Sequence, residues 1–511
     1  MSGGLSRREL LVGVAGAAAL GATGLPGWMQ EPKEQGMEPL QVGDRKQLFI
    51  DDRFLAEQKD VRLVMCRPVQ TGERCIVPDR PWEGHRVCAY NSVAEDGGTL
   101  KMWYDAIDNE GGRWLCYATS QDGIHWEKPD LGLVPFQGDR HTNIVFPLER
   151  TEHEPSCVFL DTNPACPARE RYKMACTLKP AGKETATYVG TSEDGLRWQM
   201  LPEPAFRASD TANICWWDDR LGRYVAYVRT WTPMRMVGRC ETADFGHWGK
   251  EQVVFGYDDE DQRALNKTLF SDMDFYTSAA VKYPGAQDVY LLFPTAYYHY
   301  RPEVAERIGR AWGRPWGGWH NDGPMDIQIA VSRDGIAWER PDREPFIRLG
   351  EAGGWDGGYA YLASGLILRP DEIWLYYATA AFTHGNYDLK QERNAGTITR
   401  AVLRRDGFMA LAAGYGGGEC TTWPLVFAGN RLALNVDAGA GGHAVVEMQD
   451  GAGKPVPGFT AADCDPVNGS RLHGVVSWQG KSDLGALAGR PLRMRIALRS
   501  ARLYAFQFEW A

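Results

Sequence analysis

The fold is decided by a short turn that the chain repeats, Ser120-Gln121-Asp122-Gly123-Ile124-His125-Trp126. Asp-Gly between two strand-like runs is a hairpin turn in which Gly adopts a positive φ and the Asp side chain accepts hydrogen bonds from backbone amides. The chain contains four further copies of this turn, whose Asp positions are 50 to 90 residues apart. They are Ser192–Trp198, Thr242–Trp248, Ser332–Trp338 and a partial, worn copy at Arg405–Phe408. A repeated hairpin with about four strands per repeat indicates a β-propeller. Five turns predict five blades.

The repeats divide the chain into a leader and two folded parts. Residues 38–405 are predicted to form the five-bladed β-propeller, with 408–412 as the outer strand of its last blade. From 406 the sequence pattern changes. Runs such as Gly429–Val436 and Leu503–Trp510 alternate between apolar and polar residues, as in strands with one solvated face. Residues 406–511 are therefore predicted to form a small antiparallel β-sandwich, and the fold class is all-β.

Length and charge limit the classes of protein that this chain can be. At 511 residues it exceeds the size of one ordinary hydrophobic core. Its 58 glycines, 19 tryptophans and 11% aromatic residues suit an all-β protein with many turns. A formal net charge of −10 argues against a nucleic-acid partner and against an anionic membrane surface.

The cysteines carry little functional signal. There are 11, and no C-x-x-C pair occurs, which argues against zinc-ribbon or thioredoxin-type chemistry. Most of them, such as Cys215, lie in strand-like runs and are interpreted as small buried apolar side chains. Cys166 with Cys176, or Cys66 with Cys75, can pair in an oxidising compartment.

The N-terminal segment resembles an export signal. Arg7 and Arg8 precede a mildly apolar run over 12–25 that is rich in Gly and Ala. This pattern resembles a bacterial twin-arginine signal, which carries folded proteins across the inner membrane. A transmembrane anchor is the alternative, but an apolar run this short spans a bilayer poorly. Residues 1–37 are therefore expected to be a cleaved signal peptide and linker, and the remainder to be periplasmic or secreted without a membrane span.

Propeller topology separates a functional face from a structural one. In a four-stranded meander, the segment before strand one and the loop between strands two and three lie on one face, whereas the Ser-x-Asp-Gly turns between strands three and four lie on the other. The turn aspartates are therefore interpreted as structural. An acidic residue precedes the first strand of every predicted blade, and these acids are predicted to form a ring around the axis: Glu83, Glu154, Asp210, Asp272 with Asp274, and Asp356.

A ring of carboxylates favours one kind of chemistry. Crowded carboxylates raise one another's pKa, so that some can be protonated near neutral pH while others stay ionised. Glycosidic cleavage requires such an acid and base. The alternative is that some of these acids coordinate a structural cation, such as Ca²⁺ in the central channel; otherwise no cofactor is expected.

Aromatic and basic residues accompany the acids on the same face. The loop between strands two and three of the fourth blade is long, and loops of more than ~12–15 residues in a compact domain are usually functional or disordered. Aromatic rings pack well against the apolar C–H faces of sugars. Substrate binding is therefore predicted for Arg229, Trp231, Tyr298, Trp316, Trp319 and His384. A subunit interface is the alternative use of such an aromatic patch.

The repeated turns, together with the sandwich that ends in Leu503–Phe506, resemble the five-bladed propeller glycoside hydrolases, closest in layout to family 32 and more distantly to family 43. In those families a blade-one acid is the nucleophile or base, a blade-three Asp stabilises the transition state, and a blade-four Glu donates a proton. The resemblance implies these roles for Glu83, Asp210 and Asp274 in turn, and hydrolysis of a poly- or oligosaccharide as the activity.

The sequence departs from the family 32 pattern at two points. The blade-one Asn-Asp-Pro-Asn motif is absent, and Asp272 and Asp274 stand where a Glu-Cys segment is expected. A non-catalytic carbohydrate-binding propeller and a protein-interaction scaffold are the alternative functions.

Overall fold

The computed structural model describes residues 38–511 except 88, 149–153, 181–182, 208–210, 232, 312–320 and 386–394. These residues form β-sheets almost throughout, interrupted by two short helices, α1 (Asp259–Ala264) and α2 (Pro302–Ala311). Within them, no helix is long and apolar enough to cross a lipid bilayer. The predicted signal peptide and linker lie outside the described residues.

The first strands of the chain are divided among three sheets. Four of them pair with strands near the C terminus, and the fifth pairs with a strand around Thr399. In chain order they are β1 (Leu40–Gly43), β2 (Gln47–Leu48), β3 (Leu55–Lys59), β4 (Val61–Met65) and β5 (Val69–Ile76).

Three antiparallel meanders follow, and each arranges its strands side by side in chain order. Their central strands are buried along nearly their whole length, as expected for sheets covered on both faces. The first has β6 (Arg86–Val87), β7 (Ser92–Asp96), β8 (Thr99–Ile107), β9 (Arg113–Ser120) and β10 (Ile144–Pro147); the second has β11 (Glu154–Leu160), β12 (Tyr172–Leu178), β13 (Ala186–Ser192), β14 (Gln199–Met200) and β15 (Phe206–Arg207); the third has β16 (Ile214–Asp218), β17 (Arg223–Trp231), β18 (Arg235–Thr242) and β19 (Gln252–Phe255).

The fourth meander is interrupted along its length. Its strands break near Thr277 and Thr295, whose hydroxyl oxygens lie 2.7 Å apart, so one half pairs in one sheet and the other half in another. The strands are β20 (Phe270–Phe275), β21 (Val281–Lys282), β22 (Tyr290–Leu292), β23 (Thr295–Tyr300), β24 (Met325–Ile327) and β25 (Ala330–Ser332).

The last meander is completed by an early strand. It consists of β26 (Tyr359–Leu362), β27 (Ile367–Leu368), β28 (Glu372–Ala380) and β29 (Thr397–Arg404), and β5 pairs antiparallel with β29, placing Ile76 opposite Ile398. The predicted outer strand at 408–412 is therefore wrong, since a segment that precedes the first meander takes this place. The added strand covers the β29 edge of the last sheet. The sheets together form a propeller-like arrangement in an all-β protein.

The C-terminal strands form a large antiparallel sheet around two long strands of 19 and 17 residues that pair along most of their length. Strands β3 and β4 extend this sheet, so it includes N-terminal residues that the predicted boundary at 406 assigned to the propeller. The C-terminal strands are β30 (Met409–Ala413), β31 (Gly418–Thr422), β32 (Leu425–Phe427), β33 (Arg431–Gln449), β34 (Cys464–Asp465), β35 (Ser470–Val475), β36 (Ser477–Trp478) and β37 (Arg493–Glu509).

The repeated turns have the predicted geometry. Asp194 Oδ1 accepts hydrogen bonds from the backbone amides of Leu196 and Arg197, at 2.8 and 2.9 Å. Gly195 adopts a φ of 77°. Each turn also contacts a neighbouring meander: Trp103 of β8 donates to the carbonyl of Gly195 at 2.7 Å, and Tyr376 of β28 donates to that of Gly123 at 2.8 Å. The turns therefore join adjacent sheets as well as adjacent strands.

The worn fifth turn has a different role. Asp406 is buried and accepts hydrogen bonds from Lys46 at 2.8 Å and from Tyr283 at 2.6 Å, which ties the last meander to the N-terminal strands. Cys66, Cys75 and Cys166 are free thiols, so neither of the pairs that the sequence left open is formed.

Candidate functional site

Strands β20 and β23 bring a carboxylate and an imidazole together. Asp274 lies opposite Tyr297, and His299 lies two residues further along on the same face of β23. The carboxylate is 0% exposed. Its Oδ2 is 3.0 Å from Arg235 Nη1, at the start of β18, and its Oδ1 is 3.3 Å from His299 Nε2. The site therefore has a buried acid between two basic side chains.

These neighbours decide the charge of Asp274. Burial alone would raise the pKa of Asp274, but the nearby His299 imidazole and the positive charge of Arg235 outweigh burial and hold the pKa below its ordinary value. The resemblance implies a proton-donor role for Asp274, and a pKa below the ordinary value does not favour that role, because it favours the ionised carboxylate. The neighbouring Asp272 carboxylate accepts a hydrogen bond from Gln262 Nε2 at 2.7 Å.

Aromatic side chains surround the acid. The Tyr276 and Tyr297 rings lie 5.8 Å apart, and the His384 ring is 4.6 Å from the first and 5.0 Å from the second. Tyr361, on β26, approaches His384 Nδ1 to 3.2 Å through its hydroxyl. Burial, and then the positive charge of Arg235, lower the pKa of His384 well below its ordinary value, so this imidazole is neutral.

Two guanidinium groups share the same aromatic rings. Arg229 lies 4.2 Å and Arg235 lies 5.1 Å from the centre of the Tyr276 ring, and both also contact Trp231 at 5.7 and 4.7 Å. Such distances are those of cation–π contacts. Trp231 is 55% exposed, so its ring is presented to solvent beside the buried acid. An exposed tryptophan next to a polar cleft is suited to packing against a sugar ring.

Several buried polar atoms of this cluster are not satisfied by the protein. In the part of the chain that the structure describes, Arg235 Nε and the Tyr297 hydroxyl have no hydrogen-bond partner, and Asp274 Oδ1 and His299 Nε2 face one another without hydrogen-bond geometry. Buried polar groups are nearly always paired in folded proteins. A concentration of such atoms at one place is typical of a site that binds a polar ligand.

The opposite wall of the site comes from the first meander. Tyr90 lies before β7, and its hydroxyl is 3.5 Å from that of Tyr276. The Tyr90 backbone has a φ of 69°, a conformation that is rare for a bulky side chain and is commonest at functional sites.

Glu83 is not part of this cluster. It ends a 3₁₀ turn, Pro81–Glu83, and is 0% exposed. Its Oε2 accepts from Lys128 at 2.7 Å and its Oε1 accepts from Tyr104 at 2.6 Å. The carboxylate therefore holds the turn and neutralises a buried lysine, and both of its oxygens accept hydrogen bonds from protein side chains. The interpretation of Glu83 as base or nucleophile conflicts with this geometry.

The remaining predicted residues are dispersed or undescribed. Asp356 lies against the glycines of its own loop, where a Cβ at Gly350 would be 1.9 Å from Asp356 Oδ1. Tyr298 lies on the other face of β23 from His299 and accepts from Gln328 Nε2 at 3.3 Å. Only the backbone of Glu154 is described, at the start of β11. Asp210, Trp316 and Trp319 lie outside the described residues.

The cluster thus contains Asp274, Arg229, Trp231 and His384 of the predicted residues, and it adds Arg235, His299, Tyr276 and Tyr297. One signal for the added residues was present in the sequence, since alternation along β20 places 276 on the face of 274. Among the described residues, no group of three His, Cys, Asp or Glu side chains could hold a metal ion. A cavity of about 920 Å³ lies elsewhere, between Phe206 and Trp248.

Comparisons with known proteins place few constraints on function. No family model matches the chain. An uncharacterized protein of Mycobacterium tuberculosis (strain CDC 1551 / Oshkosh) is 31% identical over 119 residues, 22% of this chain and 34% of that protein. Another, from strain ATCC 25618 / H37Rv, is 30% identical over 119 residues. The chain therefore spans about a third of the length of these relatives, since the share is 34% in both cases.

Solved structures with a similar architecture are carbohydrate-related proteins. A thermostable family-43 glycoside hydrolase is 11% identical, with 68% of this chain and 96% of that chain covered and a TM-score of 0.43. An N-acetylgalactosamine deacetylase from F. plautii, solved with blood group B trisaccharide, is 14% identical over 68% and 96%, with a TM-score of 0.44. A glycosyl hydrolase from Bacteroides ovatus is 16% identical over 70% and 96%, with a TM-score of 0.43.

Proposed function

We propose that this protein is a glycoside hydrolase that cleaves a poly- or oligosaccharide at the Asp274 site. The observation that carries the proposal is the ionised, buried Asp274 among unsatisfied hydrogen-bonding groups, with the exposed Trp231 ring beside it. A carboxylate of this kind can act as a nucleophile or base, or can stabilise an oxocarbenium-like transition state. Trp231 would position a sugar ring over the cluster.

Glycosidic cleavage needs a second carboxyl group. Asp210 is the proposed partner, because its neighbour in the chain, Thr211, is buried and donates from its hydroxyl to the Tyr276 carbonyl at 3.1 Å. In this scheme Asp274 supplies the negative charge and Asp210 handles the proton.

The proposal also includes the number of blades, the family resemblance and the route of export. The five successive meanders, the last with β5 as its outer strand, would be the five blades, and the resemblance to family 32 would extend to the paired C-terminal sheet. Arg7 and Arg8 support export by the twin-arginine route to the periplasm or beyond. A non-catalytic sugar-binding propeller uses the same cluster without bond cleavage.

A substrate screen with matched variants tests the proposal. The full-length chain is incubated with a panel of polysaccharides and oligosaccharides, and released reducing ends are measured. Asp274→Asn should reduce the rate by ~10²–10⁴-fold, the usual effect of losing a catalytic carboxylate. Asp194→Ala is the matched control, since Asp194 lies in a turn away from the cluster, and its rate per folded molecule should be unchanged. Retention of a sugar without release of reducing ends would favour the non-catalytic carbohydrate-binding protein. The absence of both retention and release would refute both functions.

A further inference from the structure

We propose that a cavity between the second and third meanders is a second carbohydrate-binding site, which takes a neutral segment of an oligosaccharide. This Tyr188 cavity is lined by residues within 183–188, 203–207 and 248–251 and has a volume of about 920 Å³. Small-molecule sites usually have volumes of roughly 300–1,000 Å³. None of its described lining residues belongs to the Asp274 cluster. The inference goes beyond the proposed function and rests on it only for the ligand, since the saccharide cleaved at Asp274 is the one expected here.

Two aromatic rings contribute apolar surface to the cavity. Phe206 lies on β15, which pairs with β13 and so belongs to the second meander. Trp248 ends the Thr242–Trp248 turn of the third meander, and its ring lies 4.9 Å from that of Phe206. Trp248 Nε1 donates to the Phe245 carbonyl at 2.7 Å, which fixes the indole, and both lining rings are half-buried. Aromatic rings held in this way can pack against the apolar C–H faces of a sugar.

Tyr188 supplies the observation that points to a ligand. The residue lies on β13, is 3% exposed and lines the cavity. Its hydroxyl forms no hydrogen bond with the described residues, yet it is not sealed from solvent. Polar groups of buried side chains are nearly always paired with protein groups or with ordered water. A hydroxyl of the ligand can provide the missing partner, because hydroxyl groups both donate and accept hydrogen bonds.

The charged side chains around the cavity favour a neutral ligand. Three basic and three acidic side chains are found among the described lining residues: Lys183, Arg207, Lys250, Glu184, Glu203 and Glu251. Lys183 Nζ lies 3.8 Å from Glu203 Oε1, and the other four form no ion pair with residues that the structure describes. Attraction of a polyanion requires an excess of positive charge, which this lining lacks. A neutral sugar needs donors and acceptors side by side, and this lining has both.

Binding is measured in Asp274→Asn, so that the saccharide is not consumed during the titration. The full-length variant is titrated by calorimetry with neutral gluco-, xylo-, manno- and fructo-oligosaccharides, at least one of which should bind to the Tyr188 cavity. Adding Trp248→Ala should weaken that binding about tenfold or more, because tryptophan is among the side chains whose truncation costs a binding site most. Adding Tyr188→Phe should weaken it by about threefold to tenfold, the effect of losing one neutral hydrogen bond.

A matched control separates the cavity from the turn. Trp126→Ala removes the tryptophan at the same position of the Ser120–Trp126 turn in the first meander, and should leave the binding unchanged. The melting temperature is measured for every variant. Tyr188→Phe keeps the aromatic ring and its packing, so it tests the site even where Trp248→Ala does not fold. With Asp274 intact, both cavity variants should raise KM for a long polymer and leave kcat/KM for a short soluble substrate unchanged.

The possible results are distinguishable. Binding that neither cavity variant weakens in a folded protein would overturn the inference and leave the proposed function in place, and so would an equal loss in Trp126→Ala. Binding that depends on Trp248 and Tyr188, without release of reducing ends by the parent protein, would support the second site and refute hydrolysis. Cleavage that depends on Asp274, without binding to the cavity, would refute the second site alone. Neither binding nor cleavage of any sugar would refute both.

Discussion

Arg235 and Asp274 form a buried ion pair at the centre of the site, with Nη1 3.0 Å from Oδ2. The pair is not isolated, since His299 approaches the other carboxylate oxygen and Tyr276 and Tyr297 lie against the guanidinium. A fully buried ion pair seldom adds net stability, because desolvation of the two charges offsets their attraction. Its presence among buried polar atoms without partners in the described chain is better explained by function than by folding.

The first prediction concerns the acid limb of the pH–rate profile. Because Arg235 and His299 hold the pKa of Asp274 below its ordinary value of 3.8, the carboxylate should stay active as the pH falls until that lowered pKa is reached. Arg235→Gln removes a positive charge that offsets the effect of burial, so the pKa of Asp274 should rise. The acid limb of kcat/KM should therefore move to higher pH. The profile is measured on a substrate found in the screen. An unchanged acid limb would show that the ionisation of Asp274 does not control the rate.

Local structure was predictable where the sequence specifies its own hydrogen bonds. The Ser-x-Asp-Gly turns are such a case, because the Asp and Ser side chains satisfy amides within the same seven residues. The pairing of Val69–Ile76 with β29 was not predictable, since alternation identifies a strand but not its partner. The same limit explains why β3 and β4 were assigned to the propeller.

The electrostatics of the site required the tertiary structure. The sequence located Asp274 at the start of a first strand, and its carboxylate does lie in the cluster. The basic partners come from β18 and β23, and no local pattern states that Arg235 and His299 point toward it. Glu83 is the converse case. Its position before a first strand predicted that it lies at the propeller axis, whereas Lys128 and Tyr104 hold its carboxylate in a buried hydrogen-bond network.

The second prediction tests that structural role. Glu83→Gln should lower the free energy of unfolding by about 3–5 kcal/mol, because it removes the buried carboxylate of the Lys128 ion pair and leaves the ammonium only the largely exposed Asp79. The rate per folded molecule should be unchanged. Asp79→Asn is the matched control: Asp79 also contacts Lys128, at 2.6 Å, but is 54% exposed, so its loss should cost at most about 1 kcal/mol. Denaturant unfolding and activity are measured on the same samples. Loss of turnover in a stable Glu83→Gln protein would restore Glu83 as a catalytic candidate.

The third prediction concerns the contact between a turn and its neighbouring sheet. A Cβ at Gly195 would lie 2.7 Å from Cζ2 of the buried Trp103, and the backbone there has a φ of 77°. Gly195→Ala should therefore cost the ~1–2 kcal/mol of a left-handed non-glycine residue plus ~1–3 kcal/mol for overpacking. Gly97→Ala, with a φ of 60° and no atom within 4 Å of the new Cβ, isolates the first contribution. Equal losses in thermal unfolding would mean that the Trp103 contact contributes nothing.

The last prediction uses an acid outside the site. Burial, and then the negative charge of Glu344, raise the pKa of Asp326 from 3.8 to about 7, and its Oδ1 has no partner in the described chain. Between these two values the folded protein binds more protons than the unfolded chain does, so stability falls as the pH rises. Asp326→Asn removes the ionisation and should stabilise the protein at pH 7 and above, by at most roughly 4 kcal/mol since one pKa unit corresponds to about 1.4 kcal/mol. The gain should shrink as the pH is lowered and vanish below about 3.8, where Asp326 is protonated in both states. The free energies of unfolding of the parent protein and of Asp326→Asn are measured from pH 4 to pH 8 and compared. A gain that is independent of pH would mean that packing, and not the buried charge, separates the variant from the parent.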